Sequence, residues 1–358
     1  MRAPGSLASR APAPVETRLL SGFRFHCRED CGLCCYATPA VSPPERKRLL
    51  SLDPHIPWRE GASGFVRIAS RPAGGACALL EHSRCRLHDV RPFPCREFPL
   101  LVHLGDRAQA TLVLSCPGLD LGRLRDWSRG VPVESPAFEG LDREWEAVLE
   151  ETRRVPWEAW LQEGKARIDS LRSLRSREWT EPEALRDRLH RALPLPRDAD
   201  FPPEGPPGKE ARLEDLPLFF DESLGRVAFR KVDRAWQALR IREGGGVERD
   251  LGTHRIPHSR PALQPDGLAL LAGYGHYLLE RDALLWLGYR ELARRKGTSL
   301  EDVLTALVLG AESEVLARAV FRMRLRGVDG PLGAAEVALG IQATDSDLLD
   351  QETYGRVL

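Results

Sequence analysis

The sequence predicts an α+β protein in which a small cysteine-rich α+β domain precedes a mainly α-helical C-terminal region. Three observations predict this. The chain has 358 residues, which is too long for one ordinary core. All eight of its cysteines lie between Cys27 and Cys116, among short segments typical of strands. The remainder is charged and carries apolar residues at helical spacing.

The first part contains several local elements. The capping box Ser42-Pro43-Pro44-Glu45 predicts a helix that runs to about Ser51. Strand-like segments follow at 65–68, 78–80 and 86–88. Residues 100–103 and 110–115 predict a hairpin whose second strand leads directly into Cys116.

Helices dominate the predictions for the second part. Apolar spacing predicts helical structure within residues 142–174, and a capping box at 180–183 starts a helix that ends near Leu193. The repeat from Leu271 to Leu292 predicts one helix, which ends at residues 294–297. The capping box Thr298-Ser299-Leu300-Glu301 predicts the next helix, to about Leu309, and residues 312–325 continue the pattern.

These elements give five predicted divisions of the chain. They are a disordered tail (1–22), a cysteine-cluster metal-binding domain (23–120), a helical extension (121–192), a proline-rich linker (193–210) and a helical domain (211–358).

Charge and hydropathy narrow the range of partners. Lys and Arg number 52, as do Asp and Glu, so no global charge attracts nucleic acid or an anionic membrane surface. No stretch approaches the roughly 18 apolar residues of a membrane-spanning helix. The first twenty residues lack the apolar run of about 7–15 residues that a secretory signal needs. We therefore expect a cytoplasmic protein that binds neither nucleic acid nor a membrane.

An even number of clustered cysteines indicates either a disulfide framework or thiolates gathered on metal. Disulfides persist in oxidising compartments and staple small domains, whereas this chain shows no export signal and is large enough to fold without them. The sequence therefore predicts metal binding. The predicted ligands are Cys27, Cys31, Cys34, Cys35, Cys77, Cys85, Cys95 and Cys116.

The spacing of these ligands bears on the identity of the metal. Structural zinc with four thiolates uses two short C-x2-4-C knuckles, and only the group from Cys27 to Cys35 supplies one. A close triplet completed by a distant cysteine holds several cubane clusters. An iron-sulfur cluster of the 4Fe-4S type is therefore favoured, with zinc as the alternative. Adjacent side chains diverge, so Cys34 and Cys35 indicate two metal positions or a reserve ligand.

Basic residues and histidines accompany the cysteines. Four arginines are adjacent in sequence to three of the thiols and could lower thiol pKa values and balance thiolate charge. They are Arg28, Arg84, Arg86 and Arg96. Any of three nearby histidines could replace a thiolate in the site. They are His26, His82 and His88.

The strings FHCREDCGLCC and CALLEHSRCRLHDVRPFPCREFP, with the Cys-Pro-Gly at Cys116, resemble the YkgJ-type cysteine cluster family, also called the CxxCxxCC or zinc- or iron-chelating domain. The resemblance covers about residues 23–120. This chain differs from the family pattern in having three residues, instead of two, between Cys27 and Cys31. The resemblance implies a metal or an iron-sulfur cluster on these cysteines and no particular activity. A relative, the flagellin lysine N-methylase, joins such a cluster to a protein-modifying activity, but residues 121–358 carry no methyl-donor motif that can be matched to it.

The function hypotheses belong to different classes. The first is a metal-binding protein with an iron-sulfur cluster or zinc, whose helical half engages a protein partner or substrate. The second is a protein-modifying enzyme similar to the methylase, and the third is a thiol redox or metal-delivery protein. Whether the protein is an enzyme stays open, because the dinucleotide, P-loop, hydrolase and zinc-protease signatures are missing and no catalytic residue can be named.

Overall fold

The computed structural model describes residues 15–28, 30–36, 40–41, 43–60, 66–71, 75–104, 107–127, 182–192, 216–232, 235–255, 260–295 and 297–348, together with Ala166 and Asp169. The fold is α+β and the C-terminal region is rich in helices, which confirms the predicted fold class. The linker at 193–210 and most of the helix predicted within 142–174 lie outside the described residues.

The strands are β1 (Val15–Glu16), β2 (Arg24–Phe25), β3 (Ala40–Val41), β4 (Trp58–Glu60), β5 (Val66–Ile68), β6 (Leu80–Glu81), β7 (Arg84–Cys85), β8 (Leu100–Leu104), β9 (Ala108–Leu112), β10 (Leu119–Asp120), β11 (Leu218–Asp221), β12 (Gly225–Val232), β13 (Ala235–Ile241) and β14 (Val247–Arg255). They pair in the orders β1-β9-β8, β10-β2, β3-β5-β4, β6-β7 and β11-β12-β13-β14.

The helices are α1 (Pro43–Leu52), α2 (Phe93–Glu97), α3 (Leu124–Trp127), α4 (Pro182–Ala192), α5 (Pro265–Glu280), α6 (Asp282–Arg294), α7 (Leu300–Leu325) and α8 (Ala334–Leu348). Short 3-10 turns lie at Arg18–Leu20, Leu33–Tyr36, His88–Val90 and Leu121–Arg123. The positions of α1 and α4 confirm the helices predicted from the capping boxes at 42–45 and 180–183. In the part of the chain that is described, no helix combines the length and the apolar character needed to cross a membrane.

The hairpin predicted before Cys116 is confirmed. Strands β8 and β9 pair antiparallel, with Leu100 opposite Leu112, and every residue of β9 is buried. The Val113 amide donates to the Pro99 carbonyl at 2.7 Å, and the Cys116 amide donates to the Val113 carbonyl at 3.1 Å. The buried strand therefore fixes the turn that carries Cys116.

The predicted disordered tail needs correction, because its last part is ordered. Strand β1 pairs parallel with β9. Leu19 and Leu20, in the turn that follows, are completely buried in the main core. The arginines and prolines of this stretch are typical of a solvated tail. Burial of two adjacent leucines, however, lowers the free energy by more than ordering the neighbouring charged residues raises it. Residues 1–14 lie outside the described residues.

The four-stranded sheet β11–β14 was not predicted, since the sequence predicts helices from residue 211. The sheet is antiparallel throughout. Phe229 and Trp236 lie on its central strands and pack against Phe321 of α7, with ring centroids 5.4 Å and 5.2 Å from it. Strand β14 is charged and exposed along most of its length, so it lacks the alternation that marks a half-buried strand.

The predicted single helix through Leu271 and Leu292 is in fact two helices, α5 and α6. Arg281 separates them in an extended conformation (φ −74°, ψ 122°). Its guanidinium makes buried contacts, and an uninterrupted helix would direct this side chain elsewhere. The next helix starts at the Ser299 N-cap with Asp302 as its capping-box partner, instead of the predicted Thr298 and Glu301, and α7 then runs without a break to Leu325.

The cysteine-rich segment and the helices share one core. Leu100, Cys116 and Leu124 belong to the same buried cluster as Leu271 and Val315. Tyr274 and Tyr277 of α5 are completely buried in it. The predicted division at residue 120 therefore does not coincide with a boundary between separate cores, although the division of the chain into functional units stays a prediction.

A buried ion pair joins the hairpin to the C-terminal helices. Arg281 and Asp345 lie 2.8 Å apart with side chains that are 1% and 0% exposed. Arg281 also donates to the Leu112 carbonyl at 2.7 Å. Asp345 accepts a hydrogen bond from the Leu114 amide at 2.7 Å and another from the Tyr274 hydroxyl at 3.2 Å. All of these groups lie just before Cys116 in the chain or contact that region.

We expect Asp345→Ala to lower the free energy of unfolding by about 3–5 kcal/mol, because it leaves the Arg281 charge buried without its carboxylate. Urea denaturation measures the change. Arg294→Ala removes an exposed partner of Glu291, so it serves as the control and should cost less than about 1 kcal/mol. Equal effects of the two substitutions would contradict the importance of the buried pair.

Candidate metal centre

None of the eight cysteines forms a disulfide in the structure. They differ in exposure. Cys27 is exposed; Cys31, Cys77 and Cys116 are buried; Cys34, Cys35, Cys85 and Cys95 are partly buried. None is committed to a disulfide, so every predicted ligand is chemically available for metal.

A two-stranded ladder brings Cys116 beside the N-terminal cysteines. Strand β2 precedes Cys27 and pairs antiparallel with β10, placing Phe25 opposite Leu119. The ladder is extended by the His26 amide, which donates to the Gly118 carbonyl at 2.9 Å. A Cβ at position 118 would lie 2.3 Å from the His26 carbonyl oxygen. The glycine of the Cys-Pro-Gly turn thus permits the close approach of the two cysteine-bearing segments.

A second group of cysteines forms around the hairpin β6–β7. The Cys77 amide donates to the Cys35 carbonyl at 2.7 Å, which joins the N-terminal loop to this hairpin. Cys85 lies opposite Leu80 in the ladder. Cys95 lies on the short helix α2, which begins after Pro92. Backbone contacts therefore join the segment that carries Cys77 and Cys85 to the N-terminal loop.

Electrostatic effects among the thiols divide them into two neighbourhoods. Charges at Cys31, Cys34 and Cys27 raise the pKa of Cys116, in addition to the larger effect of burial. Charges at Cys34, Cys77 and Cys85 raise the pKa values of Cys35 and Cys95, so Cys34 acts in both neighbourhoods. We define a first set of Cys27, Cys31, Cys34 and Cys116, and a second set of Cys35, Cys77, Cys85 and Cys95.

Cys34 and Cys35 lie where the two sets meet, within the 3-10 turn Leu33–Tyr36. Their side chains are hydrogen-bonded to each other, which lowers the pKa of Cys34 to about 7 and raises that of Cys35. The sequence argument that adjacent side chains diverge is therefore wrong here, because it assumes a regular helix or strand. The thiols of neighbouring residues contact each other across the boundary between the sets.

Backbone amides point at four of the sulfur atoms in a repeated pattern. The Leu33 amide donates to the sulfur of Cys31 at 3.4 Å. Amides two residues further along the chain likewise lower the pKa values of the other three thiols. The pairs are Leu79 with Cys77, Leu87 with Cys85, and Gly118 with Cys116. An amide donor stabilises the negatively charged sulfur, so this backbone geometry favours thiolates.

Burial opposes this effect. It raises the pKa of Cys31 to about 12 and that of Cys77 to about 11, and it raises those of Cys95 and Cys116 well above the usual value. At neutral pH these four groups are thiols in the absence of metal, and they must lose protons to become ligands.

The cations around the thiols only partly match those predicted. Arg91 lowers the pKa values of Cys34, Cys85 and Cys95, and Arg71 lowers that of Cys77. Among the predicted arginines, Arg86 acts on Cys85. The other three make contacts elsewhere: Arg28 with Glu222, Arg84 with His88, and Arg96 with the Arg91 carbonyl.

Arg226 acts on the thiols from strand β12, far from them in sequence. It donates to the Cys31 carbonyl at 3.1 Å and lowers the pKa of the Cys31 thiol. Sequence reasoning missed it because only tertiary structure brings β12 to the cysteines, and no local signal distinguishes it from other arginines.

The three candidate histidine ligands lie at the edge of this region. His26 and His82 are exposed, and His88 contacts Arg84 and Asp89 through Nδ1. Among the described residues, no group of three or more His, Cys, Asp or Glu side chains is arranged so that it could hold a metal ion as it stands. The donor chemistry nevertheless fits thiophilic metal, because the gathered thiols are free and accept amide hydrogen bonds.

Comparison with known proteins agrees with this donor chemistry. Residues 26–117 match the family model CxxCxxCC, described as a "putative zinc- or iron-chelating domain". No curated protein and no solved structure matches the chain. The matched segment contains all eight cysteines, whereas Arg226 and the C-terminal helices lie beyond it.

In the reduced, metal-free protein we expect iodoacetamide to alkylate Cys27 faster than Cys31, Cys77 and Cys116, since only Cys27 of these four is exposed. Peptide mass spectrometry over a time course measures the four rates. In concentrated urea the rates should become similar, which provides the control. Native alkylation of Cys116 as fast as that of Cys27 would be inconsistent with the buried position of Cys116.

Proposed function

Because residues 26–117 match a zinc- or iron-chelating domain family, we propose that the protein binds metal at two adjacent four-thiolate sites, one on each cysteine set. The observation that carries this proposal is the amide pattern at the sulfurs of Cys31, Cys77, Cys85 and Cys116. Each set contains two of these thiols. Oriented amides stabilise thiolates, the form that metal requires, while contributing little to a neutral thiol.

Two sites use every cysteine once. The Cys34 thiol acts on thiols of both sets, on Cys31 and Cys116 as well as on Cys35, Cys77, Cys85 and Cys95. We assign Cys34 to the first set because it completes the close triplet with Cys27 and Cys31, which leaves Cys35 for the second set. Four thiolates per site also match the usual number of ligands for zinc and for a cubane cluster.

We propose an iron-sulfur cluster, of the 4Fe-4S type, on the first set. This set combines a close triplet, Cys27, Cys31 and Cys34, with the distant Cys116, as in several cubane sites. The second set is more widely spaced in sequence, and either zinc or a second cluster suits its soft ligands. When bound, a cluster would supply one-electron transfer, and zinc would supply structural cross-linking.

Four protein ligands on each metal leave no position for substrate, which favours a structural or electron-transfer role over catalysis at the metal. No contact among the described residues favours the protein-modifying alternative, so it stays a prediction. The protein partner or substrate of the helical half and the cytoplasmic location also stay predictions.

The test is metal and acid-labile sulfide analysis of the anaerobically purified protein and of two matched variants. We expect Cys116→Ser to lose iron, sulfide and visible absorbance from the first site, because each site depends on its own set. We expect Cys95→Ser to retain them and to lose metal from the second site.

Two results would contradict the proposal. Wild-type protein without iron, sulfide or zinc would exclude a metal centre. Identical losses of every metal in Cys116→Ser and Cys95→Ser, with both variants folded by circular dichroism, would exclude two separate sites.

A further inference from the structure

Strand β12 places Arg226 between the two cysteine sets. This residue is 9% exposed, and its Nη1 atom donates to the Cys31 carbonyl and to the Ser83 hydroxyl, at 3.1 Å in each case. Cys31 belongs to the first set. Ser83 lies in the tight turn between β6 and β7, immediately before the strand that carries Cys85 of the second set. One guanidinium therefore contacts both cysteine-bearing loops.

Arg226 differs from the other buried arginines in its counter-charge. Each of the other three pairs with a buried carboxylate: Arg186 with Asp282 at 2.6 Å, Arg281 with Asp345 at 2.8 Å, and Arg322 with Asp221 at 3.4 Å. In the described part of the chain, no carboxylate pairs with Arg226. Its Nε atom is buried there without a hydrogen-bond partner, as are those of Arg281 and Arg322.

A buried charge without a counter-charge is costly. Arginine keeps its positive charge in proteins, so it cannot avoid this cost by losing a proton. The ionisable groups beside it include the Tyr36 hydroxyl, to which it is hydrogen-bonded, and the thiol of Cys31, whose carbonyl it contacts. Four thiolates around one divalent ion carry a net charge of about −2. The loaded centre would thus provide the missing counter-charge.

We propose that Arg226 is a positioning residue of the metal centre, which supplies its buried counter-charge and clamps the two cysteine sets together. This inference rests on the proposed metal binding and extends it beyond the matched segment at 26–117. The sheet β11–β14 is then a component of the metal centre, since it holds the arginine that the cysteine segment lacks.

The experiment compares Arg226→Gln, Arg226→Lys and Arg230→Gln with the wild type. Arg230 lies on the same strand, but it is exposed and donates to Gln237 at 2.9 Å, so it serves as the matched control. Zinc affinity is measured by chelator competition on the reduced, metal-free proteins. Iron and sulfide content are measured after anaerobic purification, and stability of the metal-free proteins by urea denaturation.

We expect Arg226→Gln to weaken zinc binding by about 10- to 100-fold, the usual effect of removing a group that supports metal ligands. The loss of metal affinity should affect both cysteine sets, because Arg226 contacts a loop of each. Arg226→Lys keeps the charge and should recover part of the affinity, a rescue that a purely structural role would not give. Arg230→Gln should match the wild type.

The proposal is overturned if Arg226→Gln binds metal like the wild type, or if Arg226→Lys folds but is as defective as Arg226→Gln. If Arg226→Gln does not fold, Arg226→Lys decides alone: affinity within about tenfold of the wild type supports the proposal, and loss of metal overturns it. A wild-type protein that binds no metal would instead overturn the proposed function, and this inference with it.

Discussion

The buried pair of Arg281 and Asp345 is the interaction on which the position of Cys116 and the packing of the hairpin β8–β9 against the C-terminal helices depend. It lies between the last described helix and the end of the hairpin β8–β9, where Arg281 holds the Leu112 carbonyl and Asp345 holds the Leu114 amide. Removing either charge would leave the other in an apolar core without compensation. The same contacts fix the turn that leads into Cys116. A residue near the C-terminus thus determines where one of the N-terminal cysteines lies.

The residues that balance the charge of the proposed metal centre come from distant parts of the chain. Arg71 and Arg91 lie within the matched segment and act on thiols of the second set, whereas Arg226 arrives from the sheet and acts on Cys31. Apolar burial raises the pKa values of most of these thiols, so amides and guanidinium groups must favour the charged form wherever metal is to bind. The cysteine segment contains the proposed ligands, but part of their electrostatic environment comes from residues outside it.

The sequence alone predicted structural elements correctly where the signal is local. The capping box before α1 and the strand-like segments at 100–103 and 110–115 each predicted what the structure shows. Errors arose where a distant contact overrides the local pattern. Arg281 interrupts a helical repeat because its guanidinium has partners in another element, and Leu19 is buried because β9 lies beside it. Arg226 could not be found from sequence, because an arginine on a strand gives no local indication of the loops that it will contact.

The long separation between Leu114 and Asp345 has a consequence for biosynthesis. The two residues are 231 positions apart, and a ribosome that adds about 5–20 residues per second needs roughly 10–50 s to synthesise the intervening chain. All eight cysteines emerge before the helix that secures their hairpin. During that interval the Leu114 amide lacks the Asp345 carboxylate that holds it, so the turn before Cys116 reaches its final structure only after the last described helix has been synthesised.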